Sequence, residues 1–249
     1  RMLMTARVCV AAAMSTDYVI PPPPTPSAAI HGTSERFALR RVLCVGRNYA
    51  AHAREMGQDP ERDPPFFFAK PADSVFDAHP SLGASIVYPP LTENLHHEIE
   101  LAVAIGIAGR DIPPGQALDH VFGYAPALDL TRRDLQKAAK AKGHPWEFGK
   151  AFDRSAPLGA IVPAAQIGHP TRGRVWLEVN GDVRQEGDLS ELIWSVAEVI
   201  AELSASIALA PGDLILTGTP AGVGPLNPGD TVRAGVEGVG ALALGVARD

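Results

Sequence analysis

From about residue 40 onward, apolar and polar positions follow recognisable periods. Residues 41–45, apolar after Arg41, close on Gly46 and read as a short strand. Asn48 is placed to cap a short helix through Met56, with Gly57 as its stop. A long loop rich in Pro and Phe is expected next, containing Phe66, Phe67, Phe68 and Lys70-Pro71. Residues 97–107 alternate with period two, with Ile99, Leu101, Val103, Ile105 and Ile107 on one face, which predicts a strand with one strongly buried side. Thr131-Arg132-Arg133-Asp134 reads as a capping box for a helix running to about Lys142 and stopped by Gly143. Residues 175–179, Asn180-Gly181 and the segment from Asp182 read as a hairpin with a type I′ turn. Leu189, Leu192, Ile193, Val196, Val199, Ile200 and Leu203 recur at helical spacing. Segments 213–217, 231–236 and 241–246 are expected strands. Strands outnumber helices and do not alternate with them, which excludes a doubly wound fold and predicts an α+β, mostly β architecture.

The first 39 residues do not share these periods. Residues 1–13 read as an extension, with Met14 as an original or alternative start. Pro21-Pro22-Pro23-Pro24-Thr25-Pro26 is a stiff extended segment, either a spacer or an arm lying on the domain surface. The expected organisation is therefore an extension and proline-rich arm over 1–39 and one catalytic domain over 40–249.

Composition narrows the function classes. The chain has 249 residues, 46% of them hydrophobic, enough for a substantial core. With 22 basic against 28 acidic side chains, a net charge of −6 disfavours nucleic acid or an anionic membrane surface as partner. Two cysteines support neither a disulfide framework nor a Cys-rich zinc site, so a reducing, cytoplasmic location is expected. No apolar run approaches the ~20 residues of a membrane span.

Several residue groups could carry chemistry. Glu98 and Glu100 lie on the face of the alternating strand opposite its isoleucines, beside the small residues Ala102, Ala104 and Gly106. Asp129 stands in an otherwise apolar stretch before the next helix. Three carboxylates without cysteine make a hard oxygen donor set suited to Mg²⁺, Mn²⁺ or Ca²⁺; Glu-x-Glu also fits the solvated face of an edge strand. His96 and His97 adjoin the pair but lack the helical spacing of a zinc motif and read as structural or supporting. His52 and Glu55, three apart on a short helix, could activate water or form an ordinary surface pair. Lys150 sits between Phe148 and Phe152, where it could meet an anion or snorkel. The 217–224 loop follows a strand and offers backbone amides to a carboxylate, yet matches neither a Walker loop nor a dinucleotide fingerprint. No Gly-x-Ser-x-Gly elbow is present.

Blocks at 45–52 (Val-Gly-Arg-Asn-Tyr-Ala-Ala-His), 68–71 (Phe-Ala-Lys-Pro), 97–101 (His-Glu-Ile-Glu-Leu), 128–131 (Leu-Asp-Leu-Thr) and 212–224 together resemble the fumarylacetoacetate hydrolase family, in its order. The short length and the segment 131–136 are most similar to its fumarylpyruvate hydrolase and acylpyruvase branch. The resemblance implies a layered, rolled β-fold, commonly a homodimer, with Glu98, Glu100 and Asp129 as ligands of Mg²⁺ or Mn²⁺. It implies further that His52 and Glu55 are a water-activating dyad on a mobile lid and that Lys150 and Gln136 contact the reacting oxygens. Thr219, with Gly218 beside it, matches the position used toward the substrate carboxylate. Independently of the resemblance, Arg132, Arg133, Lys140 and Lys142 could meet a distal carboxylate or be ordinary solvated helix charge, and the acyl pocket is expected from loops 57–80 and 137–148.

These expectations define a metal-dependent hydrolase of the carbon–carbon bond of an acylpyruvate, a small diketo acid, with fumarylpyruvate giving fumarate and pyruvate in aromatic-compound catabolism. The alternatives are an oxaloacetate decarboxylase or a homoprotocatechuate-pathway isomerase or decarboxylase on the same scaffold, and a non-catalytic metal-binding protein if the three acids do not converge.

Overall fold

The computed structural model describes residues 17–55 and 63–248. In chain order the elements are β1 (Ser27–Ala29), β2 (Arg36–Ala38), β3 (Arg41–Gly46), α1 (Ala50–Glu55), β4 (Phe66–Lys70), β5 (Val75–Asp77), β6 (Ser85–Val87), β7 (Leu95–His97), β8 (Ile99–Ile105) and β9 (Val121–Leu128). There follow β10 (Thr131–Arg132), α2 (Arg133–Ala141), α3 (Glu147–Lys150), β11 (Ala156–Leu158), β12 (Val162–Pro163), α4 (Ala164–Ile167), β13 (Arg174–Val179) and β14 (Asp182–Asp188). The chain closes with α5 (Val196–Ser206), β15 (Asp213–Leu216), β16 (Gly224–Leu226), β17 (Thr231–Val236) and β18 (Gly240–Ala247). This is an α+β fold dominated by strands.

The main sheet runs β4-β3-β15-β8-β9-β11-β5, with β12 added on β9; a second runs β14-β13-β17-β18-β6, and a small one β10-β7-β16. Strand β8 lies deep in the main sheet and is buried on both faces. Its Ile99, Leu101, Val103 and Ile105 enter the larger core with Leu177, Val232 and Leu242 of the second sheet. Ala102 and Ala104, on the other face, enter a separate cluster with Val42, Cys44, Ala125, Leu214 and Leu216. Period two thus serves two cores at once, and the face predicted to be half-polar is covered as well.

Several expected elements differ. Strand β8 ends at Ile105, and Ile107 is exposed rather than buried. The loop expected over the phenylalanines is strand β4, paired antiparallel with β3. Thr131 is not a helix cap: it belongs to β10, paired with β7, and its hydroxyl donates to the Asp129 carbonyl, so α2 starts without a side-chain cap. The periodic run from Leu189 divides into a 3₁₀ turn (Leu189–Glu191) and α5, because Ser195 and Glu198 form a capping box and restart the helix there. Asn48 does not cap α1; its side chain ties together the backbones of Trp194 and Thr217. The proposed helix stop at Gly57 and the extension and start at 1–14 lie outside the described residues.

Asn180 and Gly181 both take positive φ (55° and 89°), as the I′ turn requires. Within the segment expected as an arm, β1 and β2 form a hairpin held on the body: the Ala29 N–H donates to Asp77, and that of His31 to the Ile161 carbonyl.

Candidate active site

The pairing of β8 with β9 assembles the acidic cluster. Ile99 stands opposite Leu128 and Glu100 opposite Ala127, and the Asp129 N–H donates to the Glu98 carbonyl, so the start of β8 meets the end of β9. Glu98, Glu100 and Asp129, all buried, each bring a carboxylate oxygen within 4.8 Å of the others. Strand β15 ends opposite Ala102, and the chain then runs past Glu100, where the Gly218 N–H donates to Glu100 Oε2 at 2.6 Å. Gly218 has φ +98°, and a Cβ there would stand 2.7 Å from Asn48 Cβ, so this close approach needs glycine.

Three cations surround the acids. Lys150 Nζ lies 2.8 Å from Glu98 Oε2 and 2.6 Å from Asp129 Oδ2. Arg133 pairs with Glu98 Oε1 and also donates to Gln136 Oε1 at 2.6 Å. Lys70, fully buried, lies 2.9 Å from Asp129 Oδ1 while donating to the backbone carbonyls of Leu130, Ser155 and Lys150. An ammonium has three N–H bonds, and all three are taken by carbonyls. Asp129 Oδ1 therefore feels the charge of Lys70 but accepts no hydrogen bond, and it is a buried oxygen with a free lone pair. That orphaned atom within an all-oxygen donor set fits a hard divalent cation.

The electrostatics divide the acids. Burial alone would raise Glu98, but Lys150 and Arg133 outweigh it and hold its carboxyl well below the usual range. Burial raises Glu100 well above its ordinary value, and the negative charges of Asp129 and Glu98 add to the effect. Lys150 loses by burial and gains more from Asp129 and Glu98, so its affinity for the proton rises. His96 is lowered to about 4, by burial first and then by Arg133. Its ring contacts fit a neutral imidazole: Nδ1 accepts from Arg133 Nε and Nε2 faces Asn94 Oδ1.

His52 lines the same pocket and is buried; its Nδ1 lies 3.1 Å from Glu55 Oε2. Glu55 also accepts from the Gly222 N–H. Gly218 and Thr219 line the pocket from the 217–224 loop, and the Thr219 hydroxyl accepts from Gln185 Nε2 at 2.8 Å. The cavity opens to solvent and is walled by Phe66, Phe68 and Trp146.

The ten residues given catalytic, substrate or metal roles from the sequence stand at this site, nine lining the cavity and Glu55 reaching it through His52; of the other candidates for a distal carboxylate, Lys140 lines the cavity and Arg132 and Lys142 do not. Lys150 and Gln136 are presented here to Glu98, Asp129 and Arg133. The sequence reading gave no individual role to Lys70, Arg47, Trp146, Gln185 or Gly222, although three of them fall in segments it expected near the substrate. Lys70 carried a signal, a lysine closing an aromatic strand; the others become visible only through contacts distant along the chain.

The fold and this three-carboxylate pocket define a class that comparison specifies. The model of the fumarylacetoacetate (FAA) hydrolase C-terminal domain matches residues 41–247, and the chain belongs to the fumarylacetoacetate hydrolase family. It is similar to the crystal structure of fumarylpyruvate hydrolase from Pseudomonas aeruginosa in complex with Mn²⁺ and pyruvate, with 52% identity, a TM-score of 0.92, and 94% of this chain and 100% of that one covered. It is also 44% identical to a mitochondrial oxaloacetate tautomerase of Mus musculus over 209 residues, covering 84% of this chain and 92% of that protein. A mitochondrial oxaloacetate tautomerase of Oryza sativa subsp. japonica is 44% identical over 202 residues, with 81% and 88% covered. Among the described residues, no helix is long and apolar enough to cross a membrane.

Proposed function

We propose that this enzyme hydrolyses the carbon–carbon bond of acylpyruvates, with fumarylpyruvate as the expected substrate and a divalent cation, Mg²⁺ or Mn²⁺, held by Glu98, Glu100 and Asp129. The observation that carries the reading is the His52–Glu55 pair in the same pocket as the three acids. Hydrolysis needs a base for water, whereas rearrangement or decarboxylation does not consume water.

A bound cation would act as Lewis acid toward the 2-oxo acid end of the substrate. His52 Nδ1–H donates a hydrogen bond to Glu55, leaving the lone pair on Nε2 to take a proton from water. That water attacks the carbonyl farther from the pyruvate carboxylate, and the bond between that carbon and C3 of the pyruvate unit breaks. The pyruvate portion leaves as its enolate and is protonated at C3, giving one carboxylic acid and one pyruvate per water consumed. Lys150 and Gln136 are assigned to the oxygens of the reacting dicarbonyl, where positive charge and a donated N–H stabilise developing negative charge. Gly218 and Thr219 are assigned to the carboxylate of the 2-oxo acid. Arg133, between Glu98 and Gln136, orients both.

The identity with oxaloacetate tautomerases supports a second reading, keto–enol interconversion of oxaloacetate, which needs the same enolate chemistry without bond cleavage. The test is to follow fumarylpyruvate and oxaloacetate by NMR with Mg²⁺- or Mn²⁺-loaded protein. Fumarate and pyruvate from the first substrate support hydrolysis; interconversion of the second with no cleavage of the first replaces it by tautomerisation.

A further inference from the structure

The inner end of the cavity has no cation left for a second substrate carboxylate. Lys70 and Lys150 are engaged by Asp129 and Glu98, and Arg133 by Glu98 and Gln136. Two further cations line the same cavity, Arg47 and Lys140; both are exposed, and among the described residues neither is paired with a carboxylate. Lys140 follows Gln136 by one helical turn on α2, about 6 Å along the axis. Gln136 is buried and Lys140 exposed, so the step leads outward. Arg47 is held in a left-handed conformation (φ 59°), uncommon for a residue with a Cβ, and its guanidinium lies 4.7 Å from the Phe66 ring centre. Phe66 lies flat on Gly46, where a Cβ would come within 1.9 Å of the ring. Trp146 meets Phe66 edge-on and Phe68 at a tilt. The outer cavity is therefore an aromatic channel with unneutralised cations.

We propose that Arg47 and Lys140 form a carboxylate-binding subsite that selects acyl groups ending in a second carboxylate, with a flat apolar linker along Phe66, Phe68 and Trp146. Other cations near the helix are placed elsewhere: Arg132 stacks on Phe152 at 4.5 Å, and Lys142 does not line the cavity. The proposal rests on the acylpyruvate reading and adds the residues that set its selectivity.

The experiment compares kcat/KM for fumarylpyruvate and for acetylpyruvate, whose acyl group ends in a methyl, in the Mn²⁺-loaded wild type, Arg47→Gln and Lys140→Gln. Each variant is expected to lose about tenfold of the preference for fumarylpyruvate, the scale of one charge-assisted contact. A preference unchanged within about twofold in both variants overturns the subsite, since tenfold is the scale expected of it. If the wild type cleaves neither compound, the hydrolase reading fails and the subsite is judged by binding. Fumarate must then bind the Mn²⁺-loaded protein more tightly than crotonate, which has one carboxylate fewer, and the difference must shrink in both variants; equal binding overturns the proposal.

Discussion

The backbone N–H of Gly222 lies 3.1 and 3.2 Å from the two carboxylate oxygens of Glu55, the residue that also faces His52 Nδ1. One amide from the far end of the chain thus fixes the group that orients the imidazole. Gly222 has φ +93°, and a Cβ there would stand 2.1 Å from the Arg184 carbonyl oxygen, so the loop cannot accept a side chain without moving. Gly222→Ala is expected to lower kcat about 10²-fold through misplacement of the dyad, while Mn²⁺ binding is retained. Steady-state kinetics beside a Mn²⁺ titration check both halves, and an unchanged kcat would detach Gly222 from the dyad.

His52→Ala removes the proposed base but touches none of the three acids. Turnover of fumarylpyruvate should fall by at least about 10²-fold, within the range general-base catalysis supplies, with metal affinity unchanged. Unaffected turnover would reject the dyad.

Lys70 neutralises Asp129 and satisfies three backbone carbonyls from a position with no access to solvent. Lys70→Met should destabilise the fold by about 3–5 kcal/mol, the scale of breaking one side of a buried pair. Urea unfolding of the metal-free protein measures this, and a loss below about 1 kcal/mol, the worth of an exposed pair, would deny Lys70 its structural role.

Burial, with the negative charges of Asp129 and Glu98, makes Glu100 hold its proton more tightly than an ordinary carboxyl when no cation is bound, whereas Lys150 and Arg133 favour the ionised form of Glu98. A cation must displace that proton, so Mn²⁺ affinity should rise with pH until Glu100 ionises by itself and fall as acid is added. Ion binding should release protons, and the release should grow as the pH is lowered. Calorimetry in two buffers of different protonation enthalpy gives the number, and no release would contradict the assignment.

Legibility in the sequence followed the range of the forces involved. The buried side of β8, the type I′ turn at Asn180-Gly181 and strands β15, β17 and β18 depend on local period and turn chemistry and are readable, whereas β16 is not. The burial of Glu98 and Glu100 was not, because it arises from β9, β15 and the cations that neutralise them, all remote along the chain. Thr131 misled for a related reason: its hydroxyl has the spacing of a cap, but pairing of β10 with β7 gave it another partner. Spacing alone left the acids open between a metal cluster and a solvated edge, and the resemblance of several motifs taken together decided for the cluster.

Strand β8 carries its greasy side chains on odd numbers, while Glu100 and the preceding Glu98 fall on even ones, so its alignment with β9 is also a checkpoint on the chemistry. A slip of one position would drive two carboxylates into the larger core and turn isoleucine and leucine toward the pocket. Chains that pair wrongly would lose solubility and function together, which leaves little room for a well-folded but inert form of this sheet.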